Sequence, residues 1–159
     1  MKQYARYYSA GFIYNSRTKK LLLALKEDTT EQTAVVWSLF GGLNKRKENP
    51  QATFQREILE ATGVRLPKKS VQSLYDYKND DFGVDRHVFY VLALDIKNLQ
   101  KRLKHLGFAY EWVSLDAMFD QNLSKRTKQD LTYFYRELEA KERKDAPVAQ
   151  PQIASEAFL

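Results

Sequence analysis

Apolar positions along this chain recur with two different periods, and the changes of period mark its elements. Residues 8–14 (YSAGFIY) and 21–25 (LLLAL) are apolar runs on either side of Asn15-Ser16-Arg17-Thr18, a pattern that predicts two strands joined by a hairpin. A short strand over 35–40 follows and runs into Gly41-Gly42, where the missing side chains permit unusual backbone conformations and let a ligand or another backbone come close. Residues 71–77 and 87–95 predict two further strands with the polar loop 78–85 (KNDDFGVD) between them. In 108–113, Phe108, Tyr110 and Trp112 alternate with Ala109, Glu111 and Val113, as the two faces of a strand require.

Two segments carry the helical period instead. Asn49 can cap free backbone amides and Pro50 gives up no hydrogen bond at a first helical position, so a helix is predicted to start there and to stop at Thr62-Gly63. Between these limits Phe54, Ile58 and Ala61 form one apolar face, and Glu57 and Glu60, three apart, share the face beside it. A second helix is predicted over 124–143, with Leu131, Phe134, Tyr135 and Leu138 at core spacing. Strands before, between and after two helices predict an α/β/α sandwich on a mixed sheet. Residues 1–144 are expected to form the domain, and 145–159, rich in Pro, Ala, Gln and Ser, a disordered tail.

The stretch 42–64, GLNKRKENPQATFQREILEATGV, sets Gly42, Glu48, Arg56, Glu57, Ile58, Glu60, Gly63 and Val64 at spacings that resemble the Nudix box, G-x5-E-x7-R-E-U-x-E-E-x-G-U with U a bulky apolar residue. Ala61 stands where the second glutamate of the E-E pair belongs. The likeness to this MutT-like family extends to Trp37 ahead of the glycines and to EWVSLDAMF from Glu111, so it covers residues 8–138. It implies the family's α/β/α layering and hydrolysis of a pyrophosphate linkage in a nucleoside diphosphate joined to another moiety. The alternative is a Nudix-fold module that has lost turnover and binds or senses a nucleotide, for which Ala61 is the chief argument.

That chemistry explains the residue types. A diphosphate repels nucleophiles, so water attacks it only when a divalent cation neutralises oxygens and activates the water. Magnesium, or manganese in its place, takes oxygen ligands, commonly one or two carboxylates with waters and phosphates completing the shell. The resemblance assigns Glu60 to the metal, Glu57 to the metal or to the attacking water, and the Gly42 carbonyl as a backbone ligand. Glu48 and Arg56 take supporting roles, since a guanidinium can clamp a carboxylate with paired hydrogen bonds. Many relatives place a further acid shortly before the EW-type strand, where this chain has HLGF (105–108); Asp80, Asp81 and Asp85 in the polar loop rank ahead of Glu111 as replacements.

Composition narrows the rest. At 159 residues one core suffices, and the lack of cysteine removes disulfides, thiolate zinc sites and cysteine nucleophiles. The apolar runs fall short of the roughly 20 residues of a membrane span, and MKQYARYY has no signal-peptide core, so a cytoplasmic protein without a membrane partner is expected. The net charge of +6 suits phosphate-bearing ligands, but runs such as 45–47, 101–104 and 125–128 read as solvated surface, which makes a nucleotide-type small molecule the expected partner ahead of nucleic acid. Tyr4, Tyr7 and Tyr8 near Arg6, like Trp37 and Trp112, are expected to pack; His87 and His105 are expected to be structural or solvated. An exposed strand near the N-terminus would suit a homodimer.

Overall fold

The computed structural model describes residues 5–27, 35–79, 83–107 and 109–145. The first hairpin joins β1 (Tyr7–Asn15) to β2 (Lys20–Glu27), and the Asn15 side chain accepts the amides of Arg17 and Thr18 to form the turn. Then come β3 (Val35–Ser38), β4 (Phe40–Leu43), α1 (Pro50–Thr62), β5 (Gln72–Asn79) and β6 (Val84–Leu92). A short α2 (Leu99–Arg102), β7 (Ala109–Ser114) and the long α3 (Lys125–Asp145) complete the order. The helix prediction started α3 one residue early, because Ser124 is its cap: the Ser124 hydroxyl accepts the Thr127 amide.

The strands form one seven-stranded mixed sheet, ordered β3-β2-β1-β6-β5, with β4 also on β1 and β7 also on β2. Among the described pairs of strands only β1–β6 is parallel, and an isolated parallel bridge joins Trp37 to Leu123. Strand alternation sorts the apolar run of β2 onto two faces. Leu22 and Ala24, with Ile13 of β1, pack against Phe54, Ile58 and Ala61 of α1. Leu21 and Leu23, with Phe12 and Tyr14, pack against Leu131 and Phe134 of α3. The sheet therefore lies between α1 and α3, the α/β/α layering that the pattern predicts.

Two boundaries move. The predicted loop 78–85 is shorter, because Lys78 pairs with Asp85 and Asn79 with Val84 at the ends of β5 and β6. Asp80 and Asp81 lie outside the described residues, as do Tyr4, Phe108 and residues 146–159 of the predicted tail. The strand predicted to run to residue 95 ends at Leu92 and gives way to a 3-10 turn over Ala93–Asp95. Ala93, Ile96 and Leu99 there are core residues, so the apolar signal was correct and its period was not.

Candidate functional site

The cassette is built around α1. Asn49 Oδ1 accepts the Ala52 amide at 2.8 Å, Pro50 follows as the first helical residue, and Gly63 closes the helix in the left-handed region at φ 76° with its amide on the Leu59 carbonyl. The apolar face of Phe54, Ile58 and Ala61 fixes the helix rotation against the sheet. Glu57 and Glu60 are thereby turned toward β4, with side-chain exposures of 22% and 48%.

Arg56 gathers the acids. Its Nε and Nη2 donate to the two oxygens of Glu48 at 2.7 and 3.1 Å, a bidentate clamp, and Nη2 also reaches the Leu43 carbonyl at 3.0 Å. Its Nη1 donates to Glu57 Oε1 at 3.1 Å and lies 3.4 Å from both oxygens of Glu60. One guanidinium therefore ties the end of β4, the following loop and both helix glutamates into a single unit. Glu48 is saturated within it, accepting the Lys45 amide at 2.7 Å and the Thr53 hydroxyl at 3.0 Å as well. The start of β1 closes the unit, with the Tyr7 hydroxyl donating to the Glu48 carbonyl and the Ser9 hydroxyl to that of Pro50.

Gly42 owes its identity to crowding. It lies inside β4 opposite Ser9, and a Cβ at this position would sit 2.2 Å from Glu57 Oε1. Neither Gly41 nor Gly42 has a positive φ; the backbone is ordinary strand, and what the site needs is room for a carboxylate against the chain.

Beside the acids lies a cavity of about 100 Å³ lined by Glu57, Glu60, Ala61, Lys26, Phe40 and Gly41 among others. Position 61 thus belongs to the cavity wall, where the alanine methyl supplies no oxygen. Lys26 is the residue that sequence reasoning missed. Its signal was the alternation of β2, which places residue 26 on the face of Leu22 and Ala24, the side that α1 covers. Burial lowers the Lys26 pKa below the ordinary lysine value, while the negative charge of Glu57 pulls it back up.

The side chains present suit one hard cation better than several. Glu57 and Glu60 converge on a common nitrogen and so can offer oxygens to a common ion, within the one or two carboxylates that magnesium ordinarily takes. Among the described residues no group of three His, Cys, Asp or Glu side chains is placed to share a metal. Asp85 and Glu111 are exposed residues of β6 and β7 outside the cavity wall, so the structure does not bring either to Glu57 and Glu60. The aromatic and histidine expectations hold where described: Tyr7 packs edge-on to His87, Tyr8 lies over Arg86, and His105 stacks on Tyr110 at 4.2 Å. Trp37 and Trp112 pack at the margins of the two cores.

Glu48 gives the site an acid limit. Burial acts to raise its pKa, but the hydrogen bonds from Arg56, the Lys45 amide and Thr53 outweigh burial and hold it below the usual glutamate value of 4.5. A depressed folded pKa contributes stability that is complete above the unfolded pKa and disappears as pH falls through the folded one. Melting temperature is therefore expected to fall with pH below about 4.5, and less steeply in Glu48→Gln. Parallel pH profiles for the two proteins would show that the clamp does not carry this sensitivity.

Comparison with known proteins agrees with this geometry. The model of the NUDIX domain matches residues 6–138. Among solved structures, the ORF135 protein of E. coli superposes with a TM-score of 0.62 at 18% identity, covering 91% of this chain and 95% of that one. The NUDIX domain of Shewanella oneidensis NrtR, solved in complex with ADP ribose, gives 0.60 at 17% identity over 87% of this chain and 90% of that one. A structure described as an ADP compounds hydrolase gives 0.67 at 11% identity over 90% and 78%. No curated protein sequence matches. Among the described residues no helix is long and apolar enough to cross a membrane. With a family match over most of its length and the box residues gathered about one arginine, the chain belongs to the Nudix family.

Proposed function

We propose that this chain is a divalent-metal-dependent pyrophosphohydrolase that cleaves a nucleoside diphosphate linked to another moiety. The observation that carries the reading is the convergence of Glu57 and Glu60 on Arg56 Nη1 beside Gly42, at a cavity open to a ligand. Magnesium, or manganese, bound there would neutralise diphosphate oxygens and make water a competent nucleophile. Glu60 and Glu57 would hold the ion together with the Gly42 carbonyl, and Glu57 would also accept the proton of the attacking water. Arg56 and Glu48 keep the acids in register, and Lys26 faces them from β2, where its ammonium would meet a phosphate oxygen. The similarity of fold to the NrtR domain bound to ADP ribose and to the ADP compounds hydrolase supports a nucleoside-diphosphate ligand.

A titration of magnesium against a panel of nucleoside-diphosphate compounds, ADP ribose included, tests the reading. Turnover that needs the metal, is lost in Glu57→Gln and falls less far in Glu60→Gln is expected. Metal-independent turnover, or none on any substrate at millimolar magnesium, would contradict it.

A second reading, a nucleotide-binding module without turnover, is favoured by Ala61 and by the two-acid donor set. Ala61→Glu separates the two. A third carboxylate on the cavity wall is expected to tighten metal binding by roughly tenfold and to raise turnover, since ligand charge sets affinity for hard cations. Tighter metal binding with turnover still absent would favour the binding module, and an unchanged metal affinity would place residue 61 away from the ion.

A further inference from the structure

A second groove lies on the opposite side of the sheet, between β5 and α3. Its volume is about 420 Å³, and Tyr75, Lys125, Lys128, Gln129, Thr132, Tyr133 and Arg136 line it. Three of these are cations and none is an acid. Surface cations on a helix commonly face an acid three or four residues away; none stands there for Lys125 or Lys128, and among the described residues Glu139, three after Arg136, forms no ion pair with it. Among the described residues none of the three cations has an ion-pair partner.

An aromatic face is fixed beside them. Tyr133, 38% exposed, stacks on Tyr75 with ring centroids 4.3 Å apart and planes within 2°. Tyr75 is in turn anchored, because its hydroxyl donates to the fully buried Asp130 at 2.6 Å, and Tyr77 lies 5.2 Å beyond it. Tyr133 is therefore a flat ring with one side backed by protein and the other open to the groove, ordered before any ligand arrives.

A free anion would use the cations and leave the ring idle, and an apolar partner would use the ring and strand the cations. Nucleic acid uses both, stacking a base on an aromatic and laying phosphates along the charges. Size selects a strand over a mononucleotide: Lys125 and Arg136 are eleven residues apart, about 16 Å along the helix. We infer that the groove between β5 and α3 binds single-stranded nucleic acid, with a base on Tyr133 and successive phosphates on Lys125, Lys128 and Arg136. The run 125–128, solvated surface by sequence alone, gains this role because the fold sets Tyr75 and Tyr133 beside it.

The test is fluorescence anisotropy of a labelled oligouridylate of about 12 nucleotides with the full chain, in chelator and over a range of salt. Three phosphate contacts predict that log K falls with log salt with a slope of about −2. The triple variant Lys125→Glu, Lys128→Glu, Arg136→Glu should abolish binding, Tyr133→Ala should weaken it about tenfold, and Tyr133→Phe should keep it. All four exposed side chains lie away from the Glu57 cavity, so metal-dependent turnover of a small nucleotide should be unchanged in these variants. Absence of binding at low salt, or binding that the triple variant retains, would overturn the inference. Displacement of the strand by uridine monophosphate at equal nucleotide concentration would overturn it too, since a mononucleotide pocket needs no strand.

Discussion

Glu57→Gln is expected to lower turnover by about a thousandfold while leaving the fold intact, which is the range lost when a positioned general base or metal-bound carboxylate is removed. The substitution keeps the shape that fills the space over Gly42 and a hydrogen-bond acceptor for Arg56, but it removes the charge. Because a metal ligand and a proton acceptor would be lost together, kcat should fall far more than KM rises. Thermal unfolding near the parent's value together with the loss of kcat is the expected pair of results. Equal kcat in variant and parent would remove Glu57 from the reaction. Glu60, more exposed and longer in its contact with Arg56, should show the smaller loss.

Arg86→Met carries the largest expected effect on stability. Arg86 donates to Asp130 Oδ2 from Nε and Nη2 at 3.2 and 2.7 Å, in a pair whose side chains are 6% and 0% exposed. Burial pushes the Asp130 carboxyl above its ordinary range, against the pull of Arg86 and of the tyrosine hydroxyls that donate to it. Removing the arginine leaves that carboxylate without its countercharge in the interior, at a cost of about 3–5 kcal/mol. For a domain of this size the melting temperature should drop by roughly 10 °C. The double variant Arg86→Met, Asp130→Leu should recover much of the loss, because the stranded charge goes with it. A double variant no more stable than the single would mean that the pair contributes chiefly through packing. The consequence extends toward the Glu57 cavity, since Tyr8 lies over Arg86 and its ring would touch a Cβ placed on Gly41.

What could be read in the sequence was local. The caps of α1, its apolar face and the acid spacing depend on residues within a few turns of one another, so Asn49, Pro50 and Gly63 cap the helix as predicted and Glu57 and Glu60 share one face of it. Layering was legible because the periods of 2 and 3.6 are intrinsic to strand and helix. Features that depend on distant partners were not. Arg86 and Asp130 are 44 residues apart in sequence, and neither has a local pattern that names the other. Lys26 ends an apolar strand and became part of the site only when α1 was laid over that face. Tyr75 and Tyr133 met because β5 lies beside α3. Gly42 stands out in the sequence for the backbone freedom of glycine, but its backbone is ordinary strand, and the constraint comes from a carboxylate fifteen residues later.

Under the proposed function two glutamates, with one peptide oxygen, hold a single divalent ion against a diphosphate. The most direct measurement is manganese binding to the full chain by electron paramagnetic resonance, with a non-hydrolysable nucleoside diphosphate analogue present. One bound ion per chain, lost in Glu57→Gln and weakened in Glu60→Gln, is the predicted result. Two or more ions per chain, or a single ion that both variants retain, would contradict it.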